Sequence, residues 1–186
     1  MTSGEVLKKY RMSVYSVDVS NPTEPITSEM IKLHQRIDTS DEDENIDMFI
    51  RWARKSVEKE SSITLVEKDV RMQFAEKQNK YYIKYNTQES SVCKFTYVDV
   101  EGDVIELTNA ELHTNEMPNY VVAEDVPEDA REIKIEYKAT PIEDHPIIAA
   151  VVERVVMMLS YNVKVKRAAT EAYKYYIDTL GIKFFN

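Results

Sequence analysis

Residue types that could perform catalysis are few and widely separated in this sequence. It contains one cysteine, Cys93, and three histidines, His34, His113 and His145. A zinc site needs clustered Cys and His ligands, and a cysteine nucleophile is normally activated by a neighbouring base. No local pattern among these four residues provides either arrangement, so we expect packing or surface roles for them. A small hydrolase that uses Cys93 is the least favoured function.

Sites for phosphate-containing cofactors are not indicated either. The three glycines, Gly4, Gly102 and Gly181, are scattered along the chain. A phosphate-binding loop needs clustered glycines, because backbone N–H groups must approach the phosphates closely. We therefore predict no cofactor and no enzymatic activity.

The acidic run at 38–44 has two interpretations. Counted from Asp38 as an EF-hand loop, it places Asp43 where the turn needs glycine and Phe49 where a bidentate glutamate is needed. The same run is typical of a helix N-terminus, since the Ser40 hydroxyl can accept a backbone N–H and carboxylates favour the positive end of the helix dipole. We predict a helix cap at Ser40 and no metal site.

The charge balance is acidic. Acidic residues outnumber basic ones by 33 to 24, which gives a formal net charge of −9. A monomer with this excess lacks the positive field that tight binding to phosphate backbones requires. The compact basic group at 164–167 is interpreted as a solvated helix face or as a contact with an acidic partner surface or nucleic acid.

No membrane association or export is predicted. Residues 1–19 lack the apolar run of a signal peptide. The apolar segment at 147–159 is interrupted by Glu153 and Arg154, and it is shorter than the roughly 20 residues that a bilayer span needs. We expect the protein to remain in the cytoplasm where it is made.

Two helices are predicted after the proline-containing turn at 21–25. A short helix begins near Thr27, with an apolar face formed by Met30, Leu33, His34 and Ile37. A longer helix runs from about Asp41 to Ser61, and its apolar face consists of Ile46, Phe49, Ile50, Ala53 and Val57. Trp52 lies beside that face, where it can cover the strands or a neighbouring subunit.

The middle of the chain changes to a period of two. Alternation of apolar and polar residues from about Thr64 to Tyr137 predicts a small, mainly antiparallel β module. The loop at 99–103 is predicted to be a hairpin in which Gly102 takes a positive φ. Residues 11–19 also alternate, and we expect an extended arm or edge strand there.

The C-terminal part is predicted to be helical. Residues 147–159 are apolar on nearly every side, so this helix must be covered from more than one direction. From Asn162 the pattern becomes amphipathic, and either one long helix or two helices broken near Asn162 would fit. Gly181 is a helix stop.

The predicted fold class is α+β. A small helical bundle, made of the helix pair and a long C-terminal helix, carries an inserted antiparallel β module. The predicted boundaries are an N-terminal arm at 1–24, the helix pair at 25–63, the β module at 64–140 and the closing and C-terminal helices at 141–186, all within one structural domain.

Several of these segments have counterparts in one known family. Pro25 to Asp38 is a proline-led short helix that ends in Arg36-Ile37-Asp38, and the second helix closes on Ala53-Arg54 with Glu58 behind it. Residues 95–102 contain a strand and an Asp-x-x-Gly hairpin, and the apolar helix ends near Tyr161-Asn162. In this order, the segments resemble the head-tail connector (adaptor) proteins of tailed bacteriophages.

The resemblance implies a structural function in the virion. A connector of this family would form a dodecameric ring beneath the portal protein, extend the DNA channel and join the capsid to the tail. Its partners would be the portal, other copies of itself and a downstream neck or tail protein, while DNA passes through the lumen without specific binding. It would be located in the virion neck, after assembly in the host cytoplasm.

Two sets of interface residues follow as expectations. The C-terminal stripe is expected to contact the portal through Tyr173, Tyr176, Ile177, Leu180, Phe184 and Phe185. Contacts between ring neighbours are expected from one face of the helix at 40–61, through Phe49, Trp52 and Arg54.

One alternative from another functional class remains open at this point. The net charge and the carboxylates at 38–47 also suit an acidic inhibitor that mimics DNA and binds a basic nucleic-acid-binding protein. Such an inhibitor would bind in a salt-sensitive way and would not need an apolar C-terminal helix.

Overall fold

The computed structural model describes residues 12–87, 93–114, 118–142 and 145–179. These residues form four helices and two antiparallel sheets, which confirms the predicted α+β class. The helices are α1 (Ser28–Gln35), α2 (Asp43–Ser61), α3 (His145–Leu159) and α4 (Val163–Thr179). The strands are β1 (Ser13–Asp18), β2 (Lys68–Phe74), β3 (Tyr81–Tyr82), β4 (Cys93–Val98), β5 (Val104–Leu107), β6 (Glu111–His113), β7 (Tyr120–Val122) and β8 (Arg131–Ala139).

The chain divides into two compact units. The β unit contains the described parts of 1–22 and 67–141, and the helical unit contains those of 23–66 and 142–184. Each unit has its own apolar core. Each is also made of separated chain segments, because the chain passes from one unit to the other after residues 22, 66 and 141.

The larger sheet of the β unit has the strand order β1-β2-β8-β4-β5, with every neighbouring pair antiparallel. Its period-two pattern places Val70, Met72 and Phe74 of β2 in the core, while the residues between them are less buried. The segment predicted to be extended near the N-terminus forms the edge strand β1. Asp18 of β1 is opposite Lys68 of β2, and the Val19 N–H donates to the Glu67 carbonyl at 3.2 Å.

A smaller sheet, with the order β3-β7-β6, packs into the same core. Tyr81 of β3 is fully buried, and its ring makes edge contacts with Phe74 and Phe95 at centroid distances of 5.1 and 5.2 Å. Those two rings belong to β2 and β4 of the larger sheet. Tyr81 therefore joins the two sheets through aromatic packing.

The hairpin between β4 and β5 has the predicted form. Gly102 takes a φ of 93°, a conformation that glycine adopts without the steric cost of a Cβ atom. The Asp99 Oδ1 accepts the backbone N–H groups of Glu101 and Asp103, each at 2.9 Å. This side chain fixes the shape of the loop.

In the helix pair of the helical unit, the start of α1 agrees with the prediction, while the start of α2 and the buried face of α1 differ from it. Thr27 does cap α1, since its hydroxyl accepts the Met30 N–H at 3.3 Å. The buried residue of α1 is Ile31, whereas Met30 and Leu33, predicted on the apolar face, are exposed. The predicted cap of α2 at Ser40 is wrong, because the helix begins at Asp43 and makes no side-chain cap bond.

The apolar face of α2 was predicted correctly in its central residues. Ile46, Ile50, Ala53 and Val57 are buried in the helical core. Against them packs α3, whose Ile147, Ala150, Val151 and Val155 are fully buried. An apolar helix covered on several sides is what the sequence pattern predicted.

The segment at 145–179 forms two helices, α3 and α4, which is one of the two arrangements that the sequence left open. Residues 160–162 separate α3 from α4. Asn162 accepts the Lys164 N–H through its side-chain Oδ1 at 3.0 Å and so caps α4. The capping asparagine provides a physical reason for the break, because Asn favours caps over helix interiors.

Candidate interaction surfaces

Cys93 lies on β4 opposite Tyr137 of β8 and is half-buried. Burial raises the pKa of its thiol to about 11. A thiol with this pKa is protonated at neutral pH and is a weak nucleophile. The position therefore favours a packing role over the hydrolase that the sequence left as its least favoured alternative.

We expect Cys93 to react slowly with a disulfide reagent in the native protein at pH 8. A rise of the pKa from 9.0 to about 11 lowers the thiolate fraction roughly a hundredfold, because each pKa unit is a factor of ten. The effect is measured by comparing the rate of thiol modification in buffer with the rate in a urea concentration that unfolds the protein. Equal rates in both solvents would contradict it.

Three carboxylates of the β4–β5 hairpin, Asp99, Glu101 and Asp103, have oxygen atoms within 4.8 Å of one another. Such a group can hold a cation. The hydrogen bonds that Asp99 accepts from the loop backbone already account for its position. The cluster is thus explained by the turn, and the sequence had not singled it out as a metal site.

Arg54 forms the centre of a buried ionic cluster in the helical unit. Its side chain is 1% exposed. The guanidinium donates to both carboxylate oxygens of Glu24, at 2.8 and 3.2 Å, and to Glu58 at 3.0 Å. Glu58 also accepts the Leu65 N–H at 2.8 Å. We call Glu24, Arg54 and Glu58 the buried ionic cluster.

The buried ionic cluster gives Arg54 a structural role inside the helical unit, and the ring contact expected for this residue stays a prediction. A charged group leaves water only when it is paired, and Glu24 and Glu58 provide such pairs for Arg54. Glu24 lies where the chain enters the helical unit, and Leu65 lies near where it leaves. The Ala53-Arg54…Glu58 pattern seen in the sequence thus has a structural role, which is to hold these two segments on α2.

The described residues of the stripe predicted to contact the portal pack against the core of the helical unit. Tyr173 is buried and donates its hydroxyl hydrogen to Glu60 of α2 at 2.6 Å, while Arg154 lies over its ring at 5.2 Å. Tyr176 and Ile177 are half-buried against the same core. The helical core covers Tyr173. The remaining members of the predicted set, Leu180, Phe184 and Phe185, lie outside the described residues.

Phe49 and Trp52 of α2 differ in exposure. Phe49 is half-buried against the helical core, and its ring meets that of Trp52 edge-on at 5.9 Å. Trp52 is 53% exposed. A large aromatic side chain held at the surface by a neighbouring ring is a common interface anchor, so the ring contact predicted for Trp52 stays a prediction.

Several exposed apolar side chains were not predicted. Leu33 on α1 is 84% exposed, Tyr161 in the α3–α4 turn is fully exposed, and Val163 at the start of α4 is 80% exposed. Tyr175 on α4 is also exposed and contacts Tyr176 edge-on. The sequence predicted Leu33 on the apolar face of α1 because its spacing from Met30 is typical of a core-facing side, but Leu33 is exposed.

The outer face of the five-stranded sheet carries paired charges of both signs. Arg71 is 2.5 Å from Glu136, and Lys94 is 3.1 Å from Glu106. Beside them, Tyr15 and Val17 of β1 form the apolar wall of an open groove of about 580 Å³. Because acids and bases alternate here, this face does not present the continuous negative charge that a DNA mimic needs.

No protein-family model and no curated protein matches this sequence. Its structure is nevertheless similar to a chain in the neck of an empty gene transfer agent (GTA) particle, solved with C6 symmetry. That similarity has a TM-score of 0.60 at 13% identity and covers 80% of this chain and 85% of the other. The chain shares that fold.

A second similar structure is a chain in the virion of a native GTA particle. Its TM-score is 0.59 at 13% identity, with 80% of this chain and 86% of the other covered. The shared fold spans most of both chains, so it includes elements of the β unit as well as of the helical unit. Among the described residues, every helix is too short or too polar to cross a membrane.

Proposed function

We propose that this protein is a head-tail connector, a structural component of the neck of a phage-like particle. In this proposal it forms a dodecameric ring beneath the portal, extends the DNA channel and joins the capsid to the next neck or tail protein. DNA passes through the lumen without specific binding. The protein acts in the virion, has no enzymatic role and is assembled in the host cytoplasm.

The similarity to the GTA neck chain is the observation that supports this proposal most strongly. It covers 80% of this chain and 85% of that one, so it concerns a whole protein of similar architecture and not a small common motif. The order of helix pair, strands, hairpin and closing helix in the sequence resembles the head-tail connector family, which supports the proposal on separate grounds. The buried ionic cluster also gives the Ala53-Arg54…Glu58 pattern a reason within that architecture.

We propose interface residues from each of the two sets that the sequence predicted. We propose Trp52 for contacts between ring neighbours, since it is the exposed member of its predicted set. For the portal we retain Leu180, Phe184 and Phe185 from the predicted stripe. Tyr173 supports the helical core instead.

Electron microscopy of the protein mixed with the portal of its own particle tests the proposal. We expect rings attached to the portal, and we expect Phe184→Ser with Phe185→Ser to abolish attachment because an apolar contact is replaced by polar groups. Trp52→Ala should weaken ring formation. Val100→Ser, which changes an exposed apolar residue of the β4–β5 hairpin loop, is the matched control and should attach normally.

Two results would count against the connector. A protein that never attaches to the portal, with or without these substitutions, would contradict the proposed function directly. A monomer that instead binds a basic nucleic-acid-binding protein, and loses that binding at high salt, would favour the acidic inhibitor.

A further inference from the structure

The turn between α3 and α4 forms an exposed basic corner, which we define as residues 160–167. Residues 161–168 are all exposed, and the basic side chains among them are Lys164, Lys166 and Arg167. Tyr161 and Val163 add exposed apolar surface beside these charges. A groove of about 460 Å³ at this corner is lined by Ser160, Tyr161, Val163, Lys166, Arg167 and Thr170.

The position of these cations is unfavourable within the chain itself. Lys164 and Lys166 are in the first turns of α4, where the positive end of the helix dipole repels cations. Neither lysine has an ion pair with any described residue, and Arg167 pairs only with the exposed Glu171, at 3.1 Å. The stability of α4 therefore does not explain why three cations lie at this end of the helix.

An exposed acidic segment, similar in length to the basic corner, also lies in the helical unit. We define it as residues 38–47, which follow α1 and include the start of α2. Its exposed carboxylates are those of Asp38, Asp41, Glu42, Glu44 and Asp47. Asp43 is paired with Lys32 at 2.8 Å, and the five exposed acids have no ion pair with any described residue. Leu33, 84% exposed, provides apolar surface just before this segment.

We infer that the acidic segment of one copy docks on the basic corner of the next copy. Each surface combines unpaired charges of one sign with exposed apolar side chains, which is the composition of a complementary protein interface. Because the two surfaces are different parts of the chain, each copy can bind one neighbour through its acidic segment and another through its basic corner, which is a head-to-tail arrangement. A head-to-tail contact builds a ring when the rotation between copies closes.

This inference rests on the proposed function to the extent that a connector needs a contact between ring neighbours. It goes further by naming the two surfaces and by making assembly electrostatic. The charges are exposed, so salt screens them over about 8–10 Å at physiological ionic strength. Self-association is therefore strongest at low salt.

Charge reversal tests the pairing directly by sedimentation velocity at low salt. The first variant, Lys164→Glu with Lys166→Glu and Arg167→Glu, makes the basic corner acidic. The second, Asp41→Lys with Glu42→Lys and Glu44→Lys, makes the acidic segment basic. Each variant alone should remain monomeric, because its own two surfaces now repel.

Mixing the two variants should restore assembly, since every contact in an alternating oligomer then joins opposite charges. A chain that carries all six substitutions should also self-associate. The matched control for the basic-corner variant, Lys59→Glu with Arg131→Glu and Lys174→Glu, makes the same change in net charge at exposed positions elsewhere and should associate like the wild type.

Several outcomes would overturn the inference. It fails if the wild type is monomeric at every concentration, if both reversal variants assemble normally, or if mixing them restores nothing. It also fails if the basic-corner variant assembles normally but loses binding to a duplex DNA probe, because the corner is then a nucleic-acid surface. Rings on the portal that tolerate all these substitutions would place the ring contact elsewhere and leave the connector proposal intact.

Discussion

Replacing Arg54 with methionine should destabilise the protein by about 3–5 kcal/mol, because it leaves Glu24 and Glu58 without their shared cation in a buried site. Methionine keeps much of the side-chain volume, so the loss reports the charge more than the packing. Urea unfolding followed by the far-UV circular dichroism of the helices measures the change. The variant with Arg54→Met, Glu24→Gln and Glu58→Gln should recover part of the loss, since no buried charge is then left unpaired.

Arg51→Met is the matched control for this experiment. Arg51 lies on the same helix and is exposed, and surface substitutions of this kind usually change stability by less than about 0.5 kcal/mol. A loss for Arg54→Met no greater than that for Arg51→Met would show that the buried ionic cluster contributes little to stability.

Replacing Tyr81 with alanine should cost a similar amount, about 3–5 kcal/mol, since removing a buried aromatic ring leaves a cavity in a close-packed core. The ring contacts both Phe74 and Phe95, so its loss also separates the smaller sheet from the larger one. We expect a lower midpoint in urea and faster exchange of the backbone N–H groups of β3 and β7 with solvent.

Two substitutions separate the possible causes of that effect. Tyr81→Phe keeps the ring and loses only the hydroxyl that accepts the Gln78 N–H at 3.1 Å, which should cost about 1 kcal/mol. Tyr82→Ala removes the neighbouring, half-exposed ring and should cost under about 1 kcal/mol. If Tyr82→Ala destabilised the protein as much as Tyr81→Ala, the proposed joining role of Tyr81 would be wrong.

Elements with a strong repeating pattern could be predicted from the sequence. The strands β2, β4 and β8 follow a period of two, and the buried face of α2 follows the helical spacing, because each has one face in the core and one near solvent. The β4–β5 hairpin was also predictable, since Gly102 supplies the positive φ that the loop needs. In these elements the spacing of apolar residues and the position of one glycine were sufficient to predict the local structure.

The sequence alone does not determine which part of the chain packs against a given residue. An apolar stripe on α4 is equally suited to a core or to another protein, and the sequence does not say that Glu60, more than a hundred residues before it, binds Tyr173. Charged residues are usually exposed, and only the folded chain brings Arg54 into contact with the distant Glu24. For Leu33 the prediction failed in the opposite direction, because helical spacing alone predicted burial of a residue that is exposed.

The hydrogen bond from the Val19 N–H to the Glu67 carbonyl has a consequence for how this architecture can vary. It holds together the two ends of the segment that contains α1 and α2. This segment is therefore an insertion between two paired strands, β1 and β2. Insertions are best tolerated where the ends of the inserted piece already lie side by side. The segment that carries α1 and α2 can therefore change in length while the pairing of β1 with β2, and with it the sheet, is preserved.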